Sequence, residues 1–253
     1  MKSVSNLNRA LKPTGRFPLV RLGRRHDGGY LVDARTVSGA DILLSLGVND
    51  DWSFERQFLT ENDCVAVCYD GSISISEFFK RFVKSIAQPW RLNRIIWCLR
   101  VLVDYKFFFS GKRMHIKEFV GFNNRVGFVS MEDLLGTYTK FEKIFLKIDI
   151  EGSEYRCLEA ILRQQDRIVG MAIEFHNYDL FEGAIVDFLS NLNLNVCHVH
   201  VNNFGGTQLD GRPVSVELSF SKELSLGESV EQLPHELDAP NNPSVDDFKI
   251  LFQ

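Results

Sequence analysis

The stretch Lys143-Ile144-Phe145-Leu146-Lys147-Ile148-Asp149-Ile150-Glu151-Gly152-Ser153-Glu154 constrains the fold more than any other in the chain. An apolar run of strand length climbs into two carboxylates separated by one residue. It then meets a glycine and passes into helical spacing at Tyr155, Leu158, Ile161 and Leu162. A strand followed by a helix satisfies both periods. In open α/β sheets ligands bind at the carboxyl edge of such strands, which is where Asp149 and Glu151 would stand. Gly152 permits the sharp turn, and Ser153 or Glu154 can satisfy first-turn N–H groups. The same residues would also serve a plain buried strand followed by a capped helix.

A second unit lies upstream. Asp41-Ile42-Leu43-Leu44-Ser45-Leu46-Gly47 reads as a buried strand ending at a glycine, and Val48 to Glu55 opens a helix reaching about Leu59. Cys64 to Tyr69 is a further strand, closed by Asp70. This is the layout of a nucleotide-binding βαβ unit, and Asp70 follows Gly47 at the offset of about 20 residues from which a carboxylate can hold ribose hydroxyls. A lone acid there can equally form a turn or cap a helix.

The three-glycine dinucleotide fingerprint is absent; Asn49, Asp50 and Asp51 follow Gly47 instead. Carboxylates beside a pyrophosphate repel it at short range. A ribose-bearing cofactor that carries an ammonium and a sulfonium would suit this loop, and S-adenosylmethionine fits that description. Asp50 and Asp51 are also explained as first-turn acids favoured by the helix dipole.

The rest of the chain reads as one domain of 253 residues with additions. Residues 1–40 form an N-terminal segment in which Asp27-Gly28-Gly29 marks a hairpin turn. Arg21, Arg24, Arg25 and His26 gather positive charge beside it, matching an anionic ligand group. Residues 72–110 mix large apolar side chains with Lys and Arg, predicting two amphipathic helices broken near Pro89. Such an insertion can pack plainly, cover the active site, form a dimer face or touch an anionic membrane.

Met114 to Phe122 reads as a third strand region, and Ser130-Met131-Glu132-Asp133 opens a helix. Ile168 to His176 is the fifth strand, Phe181 to Leu192 a helix, and Val196 to Asn203 the sixth strand, followed by a turn at Phe204-Gly205-Gly206. Val214 to Phe220 alternates as an antiparallel last strand should. Residues 222–253, with three prolines, form a surface tail.

Net charge −4 argues against general nucleic-acid binding. The five cysteines have no zinc-ligand spacing and read as core residues of a reducing compartment. With no signal-peptide pattern and no membrane-spanning apolar run, the expected location is cytoplasmic.

If the strands after Gly47 run parallel, Asp70, Asp149, Glu151, Glu174, His176 and the group His198, His200 and Asn202 share one edge. These residues resemble the FkbM-type family of S-adenosylmethionine-dependent methyltransferases. The likeness is carried by Leu146 to Glu154 with Leu158, by Ser45-Leu46-Gly47 with Ser53-Phe54-Glu55, by Tyr69-Asp70, and by Ile173-Glu174-Phe175-His176. The resemblance covers about Asp41 to Phe220 and implies a Rossmann-like class I methyltransferase fold. That fold has a mostly parallel seven-stranded sheet with an antiparallel last strand, here with a helical insertion after the second strand.

By that likeness Gly47, Asn49, Asp51, Ser53, Asp70 and Asp149 would hold the cofactor, with Asp149 and Glu151 between cofactor and acceptor. An acceptor hydroxyl needs a base, and His176 is the first choice because an ordinary imidazole titrates near working pH. Asp149, Glu151 or His200 would orient it. Arg24, Arg25, Tyr30 and Asn202 are the expected acceptor contacts, the acceptor being a small molecule or a glycan. Asp149, Glu151 and His176 could also hold a divalent metal, a less favoured reading. Two rivals stand beside this one: a metal-dependent glycosyltransferase using Asp149 and Glu151, and a non-catalytic module binding a membrane or partner through residues 72–110.

Overall fold

The protein is described by a computed structural model covering residues 4–123, 125–227 and 232–253. The chain opens with β1 (Val4–Leu7), then the antiparallel hairpin β2 (Leu19–Leu22) and β3 (Tyr30–Asp33), the short α1 (Ala34–Gly39) and β4 (Ile42–Leu46). Next come α2 (Ser53–Glu61), β5 (Val65–Tyr69), α3 (Ile75–Ile86), α4 (Leu92–Phe108) and β6 (Arg113–Ile116). A small parallel pair, β7 (Phe119–Val120) and β8 (Phe128–Val129), precedes α5 (Met131–Thr137), β9 (Ile144–Ile148), α6 (Leu158–Gln164) and β10 (Ile168–His176). The chain ends with α7 (Tyr178–Asn191), β11 (Asn195–Thr207), β12 (Pro213–Ser221) and β13 (Lys249–Phe252).

Seven strands form the central sheet in the order β11-β12-β10-β9-β4-β5-β6. Only β12 is antiparallel to its neighbours. The strands are continuous apolar runs because both faces are covered. Alternate residues divide between the two faces. Ile42, Leu44, Leu46, Ile144, Leu146 and Ile148 pack toward α5, α6 and α7, while Leu43 and Phe145 pack toward α1, α2 and the hairpin. Trp52, Phe78 and Phe108 seat the α3–α4 pair on the same side as α2. Chain direction diverges between β4 and β9: β4 leads on to β5 and β6, β9 to β10. That divergence opens a crevice at the carboxyl edge between their tips.

The structure moves several expected boundaries. The third strand region divides at Ile116, and Phe119–Val120 turns away to pair with β8. Strand β11 runs through Phe204-Gly205-Gly206, and the turn comes later, where Gln208 N–H donates to the Arg212 carbonyl. An irregularity after Asn202 absorbs the two glycines, and Gly205 lies against Val214, where no side chain would fit. The stretch after Gly152 first makes a 3-10 turn over Glu154–Arg156 before α6 begins.

The C-terminal segment is built into the fold rather than laid over it. β13 pairs in parallel with β1, and Phe248 and Ile250 are buried. Among the described residues, no helix is long and apolar enough to cross a membrane.

Candidate active site

The tips of β4 and β9 touch. Gly47 has φ +77°, and a Cβ there would stand 1.7 Å from the Asp149 carbonyl oxygen, so only glycine closes this junction. Beyond it, Asn49 also adopts a left-handed φ of 44°. Asp70 holds the loop from below: its Oδ2 accepts from the N–H groups of Val48 (3.1 Å) and Asn49 (2.7 Å). Its Oδ1 accepts from the N–H (2.7 Å) and hydroxyl (2.5 Å) of Ser72. All four acceptor directions of Asp70 are thus engaged within the protein, and a ribose hydroxyl would have to displace Ser72.

A cavity of about 590 Å³ opens over these tips. Of the residues singled out from the sequence, Gly47, Asn49, Asp51, Asp70, Asp149, Glu151 and Arg24 line it. Phe119, Val120 and Phe128 of the β7–β8 pair form an apolar wall. Seven carboxylates and three cations (Arg24, Arg81 and Lys147) face the cavity. The ring of negative charge is therefore partly neutralised: Arg24 lies 2.7 Å from Asp51 and Arg81 3.5 Å from Asp50. Four carboxylates remain in excess.

The carboxyl tips of β9 and β10 carry a cluster of acids and an imidazole, in which Asp149 and Glu151 line the cavity and His176 does not. Glu151 and Asn177 both have positive φ, 54° and 55°, a conformation costly for non-glycine residues. Asp149, Glu151 and His176 bring ligand-type atoms within 4.8 Å of one another. His176 is aimed by Glu154, whose buried Oε1 lies 3.0 Å from Nδ1 and also accepts from the N–H groups of Ile150 and Gly152. Nε2 then faces Glu151 at 3.5 Å and Glu174 at 3.8 Å. Burial opposes charge on this ring, but the Glu154 hydrogen bond and the carboxylates of Glu174, Glu154 and Asp149 outweigh it, raising the pKa to about 9. The resting imidazole is therefore protonated at neutral pH, which overturns the expectation of an ordinary value. Glu174 is pushed well up by burial and by Asp149 and Glu217.

Two charged residues at this corner were not singled out from the sequence. Lys147, buried on the central strand, donates to the Gly47 carbonyl (2.6 Å) and lies 3.6 Å from Asp149. Burial alone would lower its pKa, yet Asp149, Glu55 and Glu174 raise it and keep it charged. Glu154 looked like a helix cap and instead ties the turn to His176. A lysine inside an otherwise apolar strand, beside a strand-end acid, was the available signal for the first. For Glu154 nothing in the sequence distinguishes a cap from an imidazole partner.

Several expected contacts lie elsewhere. Tyr30 is buried, with its hydroxyl donating to Asp149 Oδ2 (3.1 Å), so it supports the acid rather than meeting an acceptor. Arg25 is exposed and does not line the cavity. Asn202 is buried and donates to Glu174 Oε1 (2.8 Å). The Ser53 hydroxyl is buried, facing no polar partner among the described residues, and Ser53 does not line the cavity.

His200 is not at the site. Its ring nitrogens face Glu217 (3.1 Å) and Asp247 (2.9 Å), while His198 pairs with Asp238 (3.0 Å). The imidazoles at this end of the sheet fasten the C-terminal segment.

The sequence matches no family model and no curated protein. Among solved structures, an rRNA methylase from Streptococcus thermophilus aligns over 76% of this chain and 92% of its own, at 12% identity and TM-score 0.39. TrmK of M. capricolum, in complex with S-adenosyl-homocysteine, aligns over 81% and 72%, at 11% identity and TM-score 0.39. Precorrin-6y C5,15-methyltransferase from Geobacter metallireducens GS-15 aligns over 75% and 86%, at 13% identity and TM-score 0.37. Likeness this distant carries nothing about cofactor or substrate.

Proposed function

We propose that this chain is an S-adenosylmethionine-dependent methyltransferase. Its acceptor would be a sugar hydroxyl, or an acidic or phosphorylated group, of a surface glycan or secondary metabolite. The observation that carries the reading is the cavity at the β4–β9 divergence, glycine-floored and with carboxylates outnumbering cations seven to three. That balance favours a ligand bearing positive charge and opposes a diphosphate, which weighs against the glycosyltransferase reading. A Rossmann-like class I arrangement is consistent with the strand order and the single antiparallel strand.

When bound, S-adenosylmethionine supplies an electrophilic methyl group on a sulfonium. The chain's own part is placement and proton handling. Gly47, lacking a side chain, leaves room for the cofactor over the β4–β9 junction, and Asp70 sets the height of the loop that follows. Arg24, paired with Asp51, would have to turn from that carboxylate to meet an anionic acceptor. Holding a nucleophile at attack distance is worth up to about 7–11 kcal/mol.

Asp149, braced by Tyr30 and Lys147, and Glu151 orient the acceptor hydroxyl toward His176, which takes its proton from the deprotonated state of the ring. A divalent ion held by Asp149, Glu151 and His176 would instead lower the acceptor's own pKa, its imidazole already turned by Glu154 as metal-bound imidazoles are. Turnover that survives a chelator favours the His176 base, and turnover that stops favours the ion.

Calorimetric titration tests the assignment. S-adenosylmethionine and its demethylated product should both bind, and Gly47→Val should abolish both. Failure of either ligand to bind at millimolar concentration, or manganese-dependent binding of a sugar nucleotide instead, would overturn it.

A further inference from the structure

Helices α3 and α4 each carry two apolar faces, and the folded chain uses only one of them. The inner faces, including Phe78, Cys98 and Phe108, are buried in the fold. The outer face of α3 and the turn after it presents Ile75, Phe79, Val83, Ile86 and Trp90, and that of α4 presents Leu92, Ile96, Leu99, Val103 and Phe107. Both sets repeat at three- and four-residue spacing, as a single helical stripe does. All ten side chains are exposed, Trp90 to 75% and Phe107 to 71%. An apolar surface of this extent on a lone chain marks a contact with something else.

Charge selects the partner. Residues 75–108 carry seven Lys and Arg against Glu77 and Asp104, a net +5, whereas the whole chain carries −4 and the remainder therefore −9. Lys84, Arg91, Arg94, Arg100 and Lys106 are exposed, and none has an acidic partner at ion-pair distance among the described residues. Two copies meeting through this face would bring +5 against +5. A neutral apolar partner would leave the cations unmatched.

We infer that the outer faces of α3 and α4 dock the protein on an anionic lipid surface. Apolar side chains and indoles enter the boundary between headgroups and acyl chains, and flanking Lys and Arg meet lipid phosphates. Neither helix is a spanning element, so the attachment is peripheral. The inference is independent of the methyl-transfer reading.

The test is flotation of the full chain with vesicles of phosphatidylcholine alone or mixed with phosphatidylglycerol. Binding should be confined to the mixed vesicles and should weaken as salt is added. Tryptophan emission should shift blue as Trp90 leaves water, while Trp52 is already buried. Phe79→Ser with Trp90→Ala and Phe107→Ala should cut binding by about tenfold or more, and Lys84→Glu with Arg91→Glu and Arg94→Glu likewise. These positions are exposed, so an unchanged melting curve is expected and makes the comparison valid. Equal binding to both vesicle types, or none, would overturn the inference. So would concentration-dependent dimers in light scattering that the Phe79, Trp90 and Phe107 substitutions dissolve, which would assign the face to a second copy.

Discussion

A single imidazole, His176, is the group at this cluster raised to a pKa of about 9. His176 is surrounded by Glu154, Glu174, Glu151 and Asp149, and its pKa of about 9 leaves only a small neutral fraction at pH 7. If it is the base, turnover rises with pH toward about 9, roughly tenfold per unit well below that value. The positive charge of a bound sulfonium would move this limb downward. His176→Gln should remove the limb and lower kcat by about 10²- to 10⁴-fold, with cofactor affinity nearly unchanged; a kcat–pH profile checks both. A variant with the wild-type profile rules His176 out as the base.

Asp149, Glu151 and His176 were legible because strand ends in an open sheet share one edge, a consequence of topology alone. Lys147 and Glu154 were not, and Tyr30 was named as an acceptor contact, because such roles depend on which buried charge each one faces. Periodicity reports burial and says nothing about the partner. The resting charge of His176 was hidden for the same reason.

At the scale of elements, apolar runs and their punctuation carried the reading: β4, β5, β9, β10, β12 and the hairpin stand where alternation and turn residues placed them. The pair α3 and α4 breaks around Pro89 as expected. Strand β11 was misjudged at Gly205-Gly206, since glycines in a strand can mark a bulge as readily as its end. The histidines of β11 were misjudged because the segment that covers them returns from about forty residues away.

That segment yields a test. His200 is flanked by Glu217 and Asp247, and burial, which disfavours its charge, is outweighed by those carboxylates, so its pKa stands well above the ordinary value. His200→Ala would leave the buried Glu217 and the half-buried Asp247 facing each other without a cation, a loss of up to about 3–5 kcal/mol. Urea denaturation should report that loss while calorimetry shows cofactor affinity preserved. Unchanged stability with lost turnover would return His200 to the catalytic group.

Over the whole molecule, buried titrating groups set an acid-leaning optimum. The raised values of His200 and His176 contribute stability that is complete below about pH 6.5, the unfolded imidazole value. That contribution drains away as pH climbs through their folded values, for His176 about 9. The raised carboxyls of Glu174 and Glu55 act in the same direction. Asp238 opposes them. Burial would raise it, but His198 and its neighbours hold it at about 2, so its contribution fades only as pH falls below the unfolded value of about 3.9. Thermal melts between about pH 5 and pH 9 should therefore show Tm declining on the alkaline side. A Tm that rises over that span would contradict this account of the buried charges.

Asn241 ties three regions with one side-chain amide: its nitrogen lies 2.6 Å from Glu217 on β12 and 3.4 Å from Asp27 in the hairpin loop. Asp27 is itself part of the cavity wall. The C-terminal segment therefore fastens one wall of the cavity. Anything that prises that end loose, whether a protease, a crowded neighbour or a rise in alkalinity, also slackens the entrance more than two hundred residues away along the chain.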